Sequence, residues 1–311
     1  MYDTKTPMTA ERTLALYRQF YETNGPTLPA GHPSDMRFVE SLAQSLDGLA
    51  GLILDSYGVI GLGIAPIENI GALFEAAARK NIPVVILTNG ASTPASMRVG
   101  GYQSWGLPVI ADDIISSRDG AYQALQDERA KRGALRVSYL GAHVMPFADF
   151  DGPIYGDEGW EAADIFAFLG ATGWDEIAQS DLEAALLQTG AKLLVGNPDV
   201  SAPVGDGFSF EPGFWAMGAA KQTGCELVMT GKPYAPSFEI AFAALEAKAG
   251  KRLERAQVGM VGDSLHTDIL GAKSFGLTAI LLSSYGLLKG RDVITETKLA
   301  GIYPDMVARV L

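Results

Sequence analysis

Short, unbroken runs of apolar residues alternate along most of this chain with longer segments whose apolar positions recur every three or four residues. The first such run, Gly51-Leu52-Ile53-Leu54, ends at Asp55. Ile67 to Lys80 follows as a predicted helix, with Leu73, Phe74 and Ala77 on one side. A second run, Val84-Val85-Ile86-Leu87, ends at Thr88-Asn89-Gly90. The pattern returns late in the chain. Glu226-Leu227-Val228-Met229 leads to Thr230-Gly231-Lys232-Pro233, and a helix is predicted over Ser237 to Gly250. Val258-Gly259-Met260-Val261 leads to Gly262-Asp263, and Ala279 to Leu282 forms a further strand. Strands that are apolar throughout must be covered on both faces, and helices between them are the usual cover. The expected fold class is therefore α/β, a doubly wound parallel sheet.

The middle of the chain carries its own elements. Helices are predicted over Asp119 to Lys131 and Ser180 to Thr189, and strands over Leu135 to Leu140 and Lys192 to Val195. The last strand runs into Asn197-Pro198-Asp199. This stretch is long enough to be an inserted α/β domain. The expected division is a helical extension over 1–48, core over 49–117, the insertion over 118–225, and core again over 226–311. Within the extension, Glu11 to Tyr21 places Leu14, Leu16, Tyr17 and Phe20 near helical spacing. Gly25 to Pro33 reads as a loop, and Asp35 to Leu49 as a second helix. The extension is expected to pack on the next domain, with assembly into a homo-oligomer as its alternative use.

Composition narrows the setting. The 311 residues are 48% apolar and 19% charged, ample for a globular core. No apolar stretch approaches the roughly 20 residues of a membrane span. The first residues lack a basic segment followed by an apolar run. With a single cysteine, Cys225, this points to a cytoplasmic protein without disulfides. One cysteine and three histidines also exclude a Cys-His zinc site. A net charge of -12 repels phosphate backbones, so nucleic acid is not an expected partner. A small phosphorylated molecule is still acceptable, because a metal ion and one or two cations can bind it locally.

The polar residues at the strand ends supply that chemistry. Ligands of open parallel sheets bind beyond the carboxyl ends of the strands. Asp55 is a competent nucleophile toward phosphorus. Asp55 and Asp263 can share a Mg²⁺, which takes oxygen ligands and keeps several waters. Lys232 can neutralise the nucleophile and a phosphate oxygen, and Thr88 can donate a hydrogen bond to the same group. Asp268 opens a predicted helix and can support the metal or complement the helix dipole. His266 and the acidic run Asp149, Asp151, Asp157 and Glu158 are expected to be incidental loop residues.

Four motifs in this order give the chain its resemblance: Asp55-Ser56-Tyr57-Gly58-Val59, Thr88-Asn89-Gly90, Gly231-Lys232-Pro233, and Gly262-Asp263-Ser264-Leu265-His266-Thr267-Asp268. The chain resembles the haloacid dehalogenase-like hydrolases, and most closely the branch of p-nitrophenyl-phosphatase-like and sugar-phosphatase-like proteins with a class II cap. Asn197-Pro198-Asp199 and Gly301-Ile302-Tyr303-Pro304-Asp305 are similar to that branch as well. The resemblance implies catalysis by Asp55 and Lys232, phosphate binding by Thr88, Asn89 and Lys232, and metal binding by Asp55, Asp263, Asp268 and the Tyr57 carbonyl. It also implies a Rossmann-like core and a cap that excludes water. One position departs from the pattern. Phosphatases of the superfamily usually carry a general acid/base Asp two residues after the nucleophile, where this chain has Tyr57. A phenol is a poor base at neutral pH. The expected activity is a Mg²⁺-dependent phosphatase slowed at this step. The alternatives are a degenerate metal- or phosphate-binding protein and a haloacid dehalogenase-type hydrolase.

Overall fold

The computed structural model describes residues 3–27, 30–204 and 207–311. Its principal strands in chain order are β1 (Arg37–Ser41), β2 (Gly51–Asp55), β3 (Val84–Thr88), β4 (Ile114–Ser116), β5 (Val137–Leu140), β6 (Ile165–Phe168), β7 (Lys192–Val195), β8 (Leu227–Met229), β9 (Val258–Gly262), β10 (Thr278–Leu282) and β11 (Met306–Val310). The helices are α1 (Ala10–Asn24), α2 (Ile70–Arg79), α3 (Val99–Ser104), α4 (Ser117–Arg132), α5 (Glu176–Thr189), α6 (Pro212–Thr223), α7 (Ala235–Ala249), α8 (Leu270–Phe275) and α9 (Val293–Ala300). None of the described helices is long and apolar enough to cross a membrane.

The chain forms two compact units. One contains Tyr17–Thr88, Ala95–Ile115 and Lys232–Leu311. The other contains the residues up to Leu16, Asn89–Pro94 and Ser116–Gly231.

The first unit is built on a seven-stranded sheet in the order β1-β11-β10-β9-β2-β3-β4, parallel from β1 to β3. Strands β2, β3 and β9 are buried along their whole length, as their apolar runs require. Leu54 lies beside Val261 on one neighbour, and Asp55 beside Leu87 on the other. From β2 the chain proceeds to β3 and β4 on one side. It returns later to β9, β10 and β11 on the other, so β2 and β9 flank the point where strand order reverses. That is the place where open α/β sheets bind ligands.

The second unit is built on a four-stranded parallel sheet, β8-β7-β6-β5. Its helix α5 starts where the Asp175 side chain accepts from the N–H groups of Ile177 and Ala178, and stops at Gly190 in the left-handed conformation.

Two expected elements differ. Asp35 to Leu49 is not a helix: Arg37–Ser41 forms β1, paired in parallel with β11. Phe38 and Val39 favour extended backbone, and an unpaired strand edge was available to them. The strand expected near 226–229 belongs to the second sheet, where β8 pairs with β7, and not to the larger one. The compact units therefore exchange at Gly231 and Lys232, and residues 1–48 divide between them after Leu16. Part of the loop expected over Gly25 to Pro33, residues 28–29, lies outside the described residues.

Candidate active site

The first unit gathers its ionisable residues at the carboxyl ends of β2 and β9. Asp55 is the last residue of β2, and Asp263 follows β9 directly. Asp268 sits in a π-helical turn, Leu265–Ile269, that leads into α8. All three carboxylates are buried, and one oxygen from each lies within 4.8 Å of the others. The Lys232 ammonium is between two of them. Its Nζ donates to Asp55 Oδ1 at 2.5 Å and to Asp268 Oδ1 at 2.7 Å. The partners are 177 and 36 residues away in sequence, so folding alone assembles the group.

Backbone donors hold the carboxylates. The Ser56 N–H donates to Asp55 Oδ1 at 2.7 Å, and the Ser264 N–H donates to Asp268 Oδ2 at 3.2 Å. Asp263 depends on two glycines. A Cβ on Gly58 would fall 1.9 Å from its Oδ2, and one on Gly286 would fall 1.7 Å from it. Both glycines have positive φ, +86° and +64°. Only glycine gives this backbone conformation and this closeness together.

Electrostatics follow from burial. Removal from water pushes the Asp55 carboxyl up to about 7; Asp268 adds to the rise, and Lys232 opposes it. Burial and the charge of Asp55 also push Asp263 well above the usual carboxylate range. Burial works against the charged form of Lys232, but Asp268 and Asp55 outweigh it and raise its pKa. The cluster thus holds more carboxylates than its one ammonium can neutralise. Oxygen-only donors in this arrangement suit a hard divalent cation such as Mg²⁺. Asp55, Asp263 and Asp268 are the residues that could hold it.

The remaining expected residues fall as follows. Thr88 is buried at the end of β3, next to β2. Asn89 groups with the second unit, where its side-chain amide donates to Asp199 Oδ1 at 2.8 Å. Tyr57 is 37% exposed, and burial together with the charge of Asp263 raises its phenol pKa. Cys225 is a partly buried free thiol.

Several participants escaped the sequence. Ser56 Oγ hydrogen-bonds the Tyr102 hydroxyl at 2.6 Å, which ties the loop after Asp55 to α3. Gly58 and Gly286 shape the Asp263 pocket; the positive-φ requirement of the Asp55-Ser56-Tyr57-Gly58 turn was the available signal for the first. His266, expected to be incidental, is almost fully buried and stacks at 5.3 Å on Tyr17 of α1.

This fold and this carboxylate–lysine set define the class: an α/β protein with a buried ionic cluster at the carboxyl ends of two neighbouring strands. The family described as haloacid dehalogenase-like hydrolase matches residues 52–144, and one described as HAD-hydrolase-like matches residues 229–309. The chain belongs to the haloacid dehalogenase-like hydrolase superfamily, in the class IIA branch. It is 28% identical over 250 residues to a D-glycerol 3-phosphate phosphatase of Mycobacterium tuberculosis, covering 78% of this chain and 65% of that protein. It thus spans a little under two thirds of that relative's length. It is 25% identical to an acid sugar phosphatase of Staphylococcus saprophyticus, covering 73% of this chain and 84% of the relative. Among solved structures, it is similar to a possible sugar phosphatase from Cytophaga hutchinsonii. The TM-score is 0.72 and the identity 23%, over 88% of this chain and 98% of the other. A p-nitrophenyl phosphatase from Archaeoglobus fulgidus shares the fold with a TM-score of 0.66 and 20% identity, over 84% of this chain and 96% of that one.

Proposed function

We propose that the protein is a Mg²⁺-dependent phosphatase that removes phosphate from small phosphomonoesters through an aspartyl-phosphate on Asp55. The observation that carries this reading is the convergence of Asp55, Lys232, Asp263 and Asp268 at one buried point. The names of the mycobacterial and staphylococcal relatives support a phosphorylated polyol or sugar as substrate.

The chemistry assigned to each residue follows from its surroundings. Lys232 and the Ser56 N–H both donate to Asp55 Oδ1, which leaves Oδ2 the better nucleophile. Attack forms an Asp55–phosphorus bond and breaks the bond to the ester oxygen, which departs as an alkoxide and takes its proton from water. Lys232 and Thr88 then offset charge on the phosphate oxygens. Bound to Asp55, Asp263 and Asp268, with the Tyr57 carbonyl as a further ligand, Mg²⁺ would supply charge neutralisation. Asn89 is assigned to the phosphate from its place in the second motif. Hydrolysis of the aspartyl-phosphate needs a base for water. The raised pKa of Tyr57 keeps its phenol protonated, so this step is slow.

Tyr57 also favours a second reading, a protein that kept the metal and phosphate site and lost turnover. One panel separates the two. With Mg²⁺, the wild-type protein is expected to hydrolyse p-nitrophenyl phosphate more readily than glycerol 3-phosphate. Tyr57→Asp is expected to raise turnover of the alkyl ester by about 10²- to 10⁴-fold. Phosphate release from neither ester by either folded protein, together with a Mg²⁺-induced rise in Tm, would replace the enzymatic reading with the binding one.

A further inference from the structure

The matched family regions begin at residue 52, so α1 precedes them. Yet the part of α1 that folds with the first unit touches both loops that carry the catalytic charges. Tyr17 and Tyr21 are one helical turn apart and buried. The Tyr17 ring lies 5.3 Å from His266 with the planes 5° apart, and the Tyr21 ring lies 6.2 Å from it at 11°. The two tyrosines are themselves nearly parallel, 5.8 Å apart. His266 lies in the short segment between two members of the carboxylate cluster, Asp263 and Asp268. Tyr21 also packs against Tyr234 at 6.3 Å, and Tyr234 stands two residues after Lys232.

His266 is held in an unusual way. Neither ring nitrogen has a hydrogen-bond partner among the described residues, although the side chain is 2% exposed. Buried imidazoles normally make such bonds. Ring stacking on α1 is the contact that orients this one. The turn that bears it is π-helical: the Ile269 N–H reaches back five residues to the Ser264 carbonyl, at 3.2 Å. Such widened turns are rare, and they are frequent at functional sites. The widening lets His266 meet α1 while Asp268 meets Lys232.

We propose that Tyr17 and Tyr21 are positioning residues. As a pair of parallel rings they fix the Asp263–Asp268 turn through His266, and Tyr21 fixes the Lys232 loop through Tyr234. The amino-terminal helix thereby sets the spacing between the ammonium and the carboxylates. The role in catalysis rests on the phosphatase reading above, whereas the mechanical role does not.

Hydrogen exchange measured by mass spectrometry on the full chain tests this. In Tyr17→Leu/Tyr21→Leu, peptides covering 230–236 and 262–270 are expected to exchange at least tenfold faster than in the wild type. Those covering β3 and β10 should keep their protection. Tyr17→Phe/Tyr21→Phe, which keeps both rings, is expected to restore the wild-type pattern. If the double leucine variant does not fold, Tyr21→Leu alone carries the test, with the same local loss expected in both loops. Unchanged exchange in both loops, or a uniform acceleration across the unit that phenylalanine does not reverse, would overturn the proposal. In parallel, half-saturating Mg²⁺ for p-nitrophenyl phosphate hydrolysis is expected to rise about tenfold in the leucine variant and to recover with phenylalanine. A wild-type protein without phosphatase activity would refute the catalytic reading, and the exchange data would still decide the positioning role.

Discussion

The molecule contains two parallel sheets made in the same way, and they end differently. In the larger sheet, β2 ends in Asp55, β3 in Thr88, and β9 is followed by Asp263. In the smaller sheet, all four strands run within two residues into a glycine: Gly141 after β5, Gly170 after β6, Gly196 after β7 and Gly231 after β8. Those glycines let neighbouring chain segments pack closely. A Cβ at Gly141 would lie 1.9 Å from the Gly170 carbonyl oxygen, and one at Gly231 would lie 2.4 Å from Pro198. One sheet turns its strand ends into a buried charge cluster, and the other turns them into close packing. A parallel sheet therefore creates a favourable location for a site, and the residues placed there decide whether one is built.

The sharpest way to break this comparison is to remove the proposed nucleophile. Asp55→Asn is expected to lower p-nitrophenyl phosphate turnover by roughly 10⁴-fold or more, measured as phosphate release at saturating substrate. Residual activity above a few per cent would move the nucleophile elsewhere. Next comes the charge balance. Lys232→Met leaves buried carboxylates without their ammonium and is expected to destabilise the metal-free protein by about 3–5 kcal/mol in urea unfolding. Added Mg²⁺ should recover part of that loss.

The smaller sheet's unit has its own half-buried acid, which sharpens the contrast. Glu211 accepts from Ser209 Oγ at 2.5 Å and from the Asn197 amide at 3.1 Å, and burial pushes its carboxyl up to about 7. Its folded-state pKa is raised above the ordinary value, so ionisation opposes folding. The stability present below the ordinary carboxylate range is lost as pH rises from about 4.5 to 7. Glu211→Gln is expected to flatten that slope and to stabilise the protein at pH 8 by up to about 2 kcal/mol. An unaltered pH profile of Tm would remove Glu211 as the cause. The smallest effect concerns packing alone. Gly141→Ala meets a positive φ of +101° and a carbonyl, and should cost about 1–3 kcal/mol of stability. Its kcat is expected to stay within about threefold of the wild type.

Much of this was legible in the residues. The runs ending at Asp55, Thr88 and Gly262-Asp263 were readable because a fully buried strand is apolar to its last residue and polar immediately after. The failures have physical causes. Arg37–Ser41 pairs two apolar residues with polar ones on either side and does not alternate, and its state was set by an available edge beside β11. Leu227–Met229 and the core strands look alike locally; only pairing with β7 assigns it to the smaller sheet. Ile165–Phe168 is four apolar residues between loops, too short for periodicity to announce. Lys232 was expected to face the nucleophile, and the structure shows it shared with Asp268, a pairing that no local pattern encodes. The role of His266 was invisible for the same reason, since its partners belong to a helix far away in sequence.

The split of the larger sheet has a consequence for biosynthesis. Strands β5 to β8 follow one another without interruption by the other sheet, so a nascent polypeptide can complete the smaller sheet while still on the ribosome. Strand β2, made early, waits for β9 before its second edge is covered. Asp55 likewise meets its lysine only after the intervening unit has been translated. A truncated product of this messenger would carry Asp55 and an open strand edge, but not Lys232, Asp263 or Asp268.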